Sequence, residues 1–180
     1  MSTRIGGRWI DVASVLVAEG HALWLPNGVE WAWNREYAAL SRRAAAQGLR
    51  LFDPAACGPG PAAEAALSMR VNYDAPGDDR ENVDGEWAAV SNGSDSAVPL
   101  DGWWFRDSAL RRYVFPDGAS IPPRGTVTVY AGHGESTTTS FYWGLSAPAF
   151  ENPTLDARWM GDGAYLFDPR GNLRSWVIYP

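Results

Sequence analysis

The sequence predicts a mainly β protein, an immunoglobulin-like β-sandwich preceded by a two-helix segment. Three observations carry this. From Leu67 onward apolar and polar residues alternate with the period of two that a half-buried strand requires. Turn signals such as Asn92-Gly93, Asp101-Gly102, Asp117-Gly118, Pro122-Pro123 and Arg170-Gly171-Asn172 divide that region into about seven short runs, the spacing of a sandwich. Upstream of Cys57-Gly58-Pro59-Gly60-Pro61, where neither helix nor central strand can run through, apolar residues recur at helical spacing instead.

Taken in order, Asp11 is an N-cap for a short helix from Val12 to Glu19, with Val12, Val15 and Leu16 on one face and Gly20 at the left-handed position past its end. His21 to Leu25 alternates briefly, and Pro26-Asn27-Gly28 turns the chain. Asn34 is read as the cap of a second helix in which Tyr37, Leu40, Ala44 and Gln47 share a face before Gly48, with Arg42 and Arg43 complementing the dipole near its C-terminus. The strands expected beyond the boundary are Leu67 to Tyr73, Glu86 to Ser91, Trp103 to Arg106, Tyr113 to Phe115, Thr126 to Ala131, Ser140 to Trp143, Ala164 to Asp168 and Leu173 to Ile178. The organisation expected is therefore a helical segment over 1–60, a linker over 61–66 and a sandwich over 67–180.

Composition narrows the function. With 46% hydrophobic and 20% charged residues in 180, the bulk of the chain can bury enough apolar surface to fold. The net charge of −6 argues against general nucleic-acid binding, which draws its affinity from cations on phosphates. The acids are unevenly placed: residues 1–60 carry a net +1 and 61–180 a net −7. No run is apolar enough to span a membrane, and the first residues lack the apolar stretch of an export signal. Cys57 is the single cysteine, so no intrachain disulfide and no cysteine-based metal site is expected.

Two stretches resemble known families. Gly7-Arg8-Trp9-Ile10-Asp11-Val12, Leu16-Val17-Ala18-Glu19-Gly20-His21-Ala22, Asn34 to Tyr37, Ala44 to Ala46 and Gly48-Leu49-Arg50-Leu51-Phe52-Asp53-Pro54 with Cys57-Gly58 resemble the C-terminal third of thermonuclease-like (micrococcal nuclease-like) domains, where two helices pack on a five-stranded barrel. From about Leu67 to Pro180 the chain is similar to bacterial lamin-tail domains, immunoglobulin-like sandwiches. The carrying motifs are Val71-Asn72-Tyr73-Asp74, Gly77-Asp78-Asp79, Asp84-Gly85-Glu86-Trp87, Leu100-Asp101-Gly102-Trp103, Arg106-Asp107, Phe115-Pro116 and Tyr142-Trp143. The first resemblance implies a calcium-dependent phosphodiesterase whose carboxylates, glutamate and two arginines would all precede Met1, so no catalytic residue is carried over. It also implies the tail of a longer secreted nuclease, extracellular or in the cell envelope.

The residues themselves offer few sites. The acidic loop Asp74, Asp78, Asp79, Glu81, Asn82, Asp84, Glu86 is dense enough in oxygen ligands for calcium, the candidate cofactor, with Asp78, Asp79, Asn82 and Asp84 as the ligands. The competing reading is a solvated loop whose Asp and Asn side chains cap turns. His133 stands among Gly132, Gly134, Glu135 and Ser136, but three neighbours on a glycine-rich loop do not converge as a catalytic set does. Trp24, Trp31 and Trp33 with Arg35, Arg42 and Arg43 combine aromatic platforms and cations in the manner of a single-strand nucleic-acid surface; alternatively the aromatics seal the second helix onto the sandwich. Trp103 and Trp104 are adjacent on a strand, so one faces the core and the other faces outward as a partner contact. The expected function is a non-catalytic interaction module for a protein or cell-envelope partner. The helices' apolar face (Val12, Val15, Leu16, Tyr37, Leu40) must dock on the sandwich, pair with another copy or stay loosely ordered.

Overall fold

The computed structural model describes residues 2–26, 31–58, 60–152 and 161–179. Asn27 and Gly28 of the expected turn, Pro59 of the boundary and the side chain of Trp31 lie outside these residues.

The N-terminal segment is not purely helical. Strands β1 (Ser2–Ile5) and β2 (Arg8–Asp11) form an antiparallel hairpin before the first helix. Helix α1 (Val12–Ala18) starts where expected, the Asp11 carboxylate accepting from the Ala13 and Ser14 amides. The Tyr37 hydroxyl also donates to Asp11 at 2.7 Å, and that bond, ahead of the two amides, holds the carboxyl below its ordinary range. Gly20 follows at φ +72, and a Cβ there would run into the Leu49 carbonyl oxygen, so close approach as well as handedness requires glycine. Helix α2 spans Trp31–Ala46, which corrects the reading of Asn34: it lies inside the helix, buried, rather than capping it.

The rest is a sandwich of two four-stranded sheets. One has the order β10 (Ser140–Tyr142), β9 (Thr126–Tyr130), β4 (Trp87–Asn92), β3 (Leu67–Asn72); its pairs are antiparallel except β9 with β10. The other runs β12 (Leu173–Tyr179), β11 (Asp162–Phe167), β6 (Trp104–Asp107), β7 (Arg112–Val114), antiparallel throughout. A two-stranded ribbon pairs β5 (Val98–Pro99) with β8 (Ser120–Ile121). The alternation read from the sequence sends Ala88, Val90, Val127 and Val129 of one sheet against Phe105, Ala164 and Leu166 of the other. Phe105, Tyr113, Phe115, Phe141 and Trp143 meet edge-on or tilted around that core. Each fully buried Val, Leu or Phe contributes roughly 1.5–3 kcal/mol by leaving water.

Of the three fates open to the helices, docking on the sandwich accounts for Tyr37 and Leu40 of the face but not for Val15 and Leu16. Val17, Trp24 and Ala38 form a small core with Ala22, Tyr37 and Leu40, and Ile178 of β12 packs against it. Phe52 meets Trp176 with ring centroids 5.5 Å apart. The linker is stitched down as well: Asn172 accepts from the Cys57 amide, and the Arg174 guanidinium donates to the carbonyls of Pro61, Ala62 and Ala63 while pairing with buried Asp168. Val15, Leu16, Leu25 and Trp33 stay exposed on the helical segment.

Candidate functional site

Strand alternation puts Phe105 and Asp107 of β6 inside and Trp104 and Arg106 on the outer face of the β12-β11-β6-β7 sheet. Register then aligns rows of side chains across the strands. Val114, Trp104 and Phe167 form one row, and Arg112, Arg106, Tyr165 and Trp176 form the next. Trp104 stacks on Phe167 at 4.2 Å and 14°, and the Arg112 guanidinium lies 4.0 Å from the Trp104 ring centroid. Arg106 lies 4.5 Å from the Tyr165 ring and 5.9 Å from that of Phe167, with Nη1 donating to the Asp107 carbonyl. Each such cation–ring contact is worth about 0.5–1 kcal/mol where water reaches it. Trp103, as the adjacency required, is in the core. The helical segment covers the β12 side of this face at Trp176 and Ile178; on the β7 side Val114 is 52% exposed.

The residues proposed for nucleic acid do not form one surface. Trp24 is buried, Trp33 stacks on Tyr37, and Arg35 and Arg42, seven residues apart, share a helical face that points roughly 160–180° away from Trp33 at about 100° per residue. Arg43 is exposed on a third side, and the Trp31 side chain is outside the described residues. In the acidic loop, Asp78 accepts from the Arg80 amide, and Asp79 accepts from the Ala75 amide and from Asn152. Asn82 donates to the Pro76 carbonyl, and the Asp84 carboxylate sits against Gly132. The bonds of Asp78, Asp79 and Asn82 to Arg80, Ala75 and Pro76 are local turn contacts, whereas Asn152 reaches Asp79 from 73 residues away. Among the described residues no three His, Cys, Asp or Glu side chains converge as metal ligands. His133, Glu135 and Ser136 lie along an exposed loop.

One member of the loop behaves differently. Glu86 is fully buried, with one carboxylate oxygen accepting from the Ala149 and Phe150 amides and the other without a partner among the described residues. Burial pushes its carboxyl up to about 7. The strap from Pro148 to Asn152 is held by further charged groups. Arg111, paired with buried Asp107, donates to the carbonyls of Pro148 and Ala149, and buried Asp162 accepts from the Glu151 amide. The strap and Asp78, Asp79 and Arg80 line a cleft of about 440 Å³. Sequence reading missed the burial of Glu86 and, separately, the pairing of Arg106 with Arg112. The available signal was Trp104-Phe105-Arg106 and Arg112-Tyr113-Val114, each presenting an arginine on the face opposite a buried aromatic.

No helix of the described residues is long and apolar enough to cross a membrane. No curated protein matches the chain. The lamin tail domain family model matches residues 63–180, in agreement with the two-sheet architecture, and the chain belongs to the lamin tail domain family.

Proposed function

We propose that this chain is a non-catalytic interaction module whose contact surface is the open half of the outer sheet face, around Trp104, Arg106 and Arg112. The observation that carries this is the pair of arginines held over aromatic rings, with no carboxylate paired to their N–H edges among the described residues. Family membership supports a binding role. The partner is another protein or a component of the cell envelope, and the setting is extracellular or the cell envelope. A photoreactive residue at Val114 tests this in extracts of the source organism, with one at Thr138 as control. Adducts that form only from Val114 and vanish with Trp104→Ala agree with the reading; equal adducts from both positions overturn it.

A second reading rests on the hairpin that feeds α1 and α2, with Trp9 74% exposed on it. Residues 1–60 are then related to the C-terminal part of a thermonuclease-like domain, and the chain to the C-terminal part of a secreted calcium-dependent phosphodiesterase acting on DNA and RNA. Single-stranded DNA incubated with the 180-residue chain and calcium stays intact on the interaction-module reading. The second reading, which carries no catalytic residue onto this chain, expects the same; cleavage that a chelator abolishes would overturn both and put the chemistry at a site within these residues.

A further inference from the structure

We infer that the Arg106–Arg112 pair is a docking site for an acidic peptide segment of another protein, a reading that rests on the outer face being the contact surface. Arg106 and Arg112 are register partners on neighbouring antiparallel strands, so two cations stand directly opposite each other on one face. Like charges so placed repel, and a sheet built for stability alone would alternate their sign. Elsewhere in the sandwich Arg111, Arg124 and Arg174 are paired with Asp107, Asp95 and Asp168. Among the described residues Arg106 and Arg112, like Arg70, Arg80 and Arg170, have no such carboxylate, but only these two are register partners held over aromatic rings. Both cations are therefore left for an incoming anion to pair.

The pair is also held in place before binding. Ring contacts at 4.0 and 4.5 Å hold both guanidinium groups against the sheet, so less side-chain freedom remains to be lost when carboxylates pair with them. Exposed Val114, two residues from Arg112 on the same face of β7, sets apolar surface beside the cations, which suits a peptide carrying an apolar residue among its acids. Nucleic acid fits less well. Arg112 approaches Trp104 from β7 and Phe167 from β11, so the ring is covered from both neighbouring strands and offers no free face for a base.

The test is fluorescence anisotropy on the whole chain with a fluorescein-labelled decapeptide of Asp and Glu around a central Phe, at low salt. Saturable binding is expected, about tenfold weaker in R106Q/R112Q, several-fold weaker in R112Q, unchanged in R35Q/R42Q, and falling as salt rises. Near-ultraviolet circular dichroism confirms that the variants keep the wild-type fold. Absence of saturable binding, or equal binding by R106Q/R112Q, overturns the inference. So does displacement of the peptide by an equal concentration of oligothymidylate, or self-association in sedimentation that needs Arg112. In any of these cases Val114-specific adducts would still leave the interaction-module reading standing.

Discussion

Replacing Glu86 by Gln should remove a pH dependence from the stability of the sandwich. The Glu86 carboxyl is raised from its ordinary 4.5 to about 7, chiefly by burial, with the charge of Asp79 adding to this and the strap amides and Arg111 opposing it. A carboxyl raised in the folded state binds its proton more tightly there than in the unfolded chain. Its contribution to stability is therefore complete below pH 4.5 and is lost as pH rises through 7. At about 1.4 kcal/mol per tenfold change in proton affinity, the loss between those limits is about 3 kcal/mol. Buried Asp107, also raised by burial, adds loss of the same sign. In E86Q the amide carbonyl oxygen would still accept from the Ala149 and Phe150 amides, but the side chain cannot ionise. Urea unfolding followed by tryptophan fluorescence at about pH 5, 6, 7 and 8 measures the effect. The wild-type chain should lose about 2–3 kcal/mol across that range, and E86Q should lose markedly less. An E86Q chain with the wild-type slope would refute both the burial argument and the assignment of the titrating group.

Three further perturbations test the packing. Gly20→Ala forces a Cβ against the Leu49 carbonyl at a positive φ, and should lower stability by about 1–3 kcal/mol in thermal melts. Asn172→Ala removes the acceptor of the Cys57 amide and a donor to Asp168, so proteolysis near residues 53–60 should quicken several-fold while the β-sandwich keeps its circular dichroism. Deleting residues 1–60 uncovers Trp176 and Ile178, and the truncated chain should bind an apolar dye or self-associate; a monomer that binds no dye would count against the docking described.

The strands were legible where period-two alternation was long enough to fix a face, as in Leu67, Met69 and Val71, which pair in register with Asn92, Val90 and Ala88. Hairpin β1–β2 escaped because two four-residue strands give too little alternation, and β5 and β8, two residues each, give none. Asn34 was read as a cap because its residue type favours that position, whereas here tertiary burial holds it within α2. Glu86 looked like one more solvated acid. Its burial depends on a strap 63 residues further along the chain, which no local pattern encodes. The Arg106–Arg112 juxtaposition likewise exists only once the β6–β7 register is set.

The outer face of the second sheet separates what the chain covers for itself from what it leaves open. On the β12 side no guanidinium among the described residues lies over Trp176 or Ile178, so water would face bare apolar surface; Phe52 and the Val17–Trp24–Ala38 cluster cover them instead. On the β6–β7 side Trp104, Tyr165 and Phe167 are equally large, yet guanidinium groups lie against their rings and keep that surface compatible with water. The arginines thus allow the half-buried rings of Trp104 and Phe167 to face water without driving the chain to aggregate. They give it a charge opposite to that of the molecule as a whole. A face so arranged stays compatible with water when empty and complements an acidic partner in charge, which is why the proposed contact is placed on the open half and not on the helical segment packed beside it.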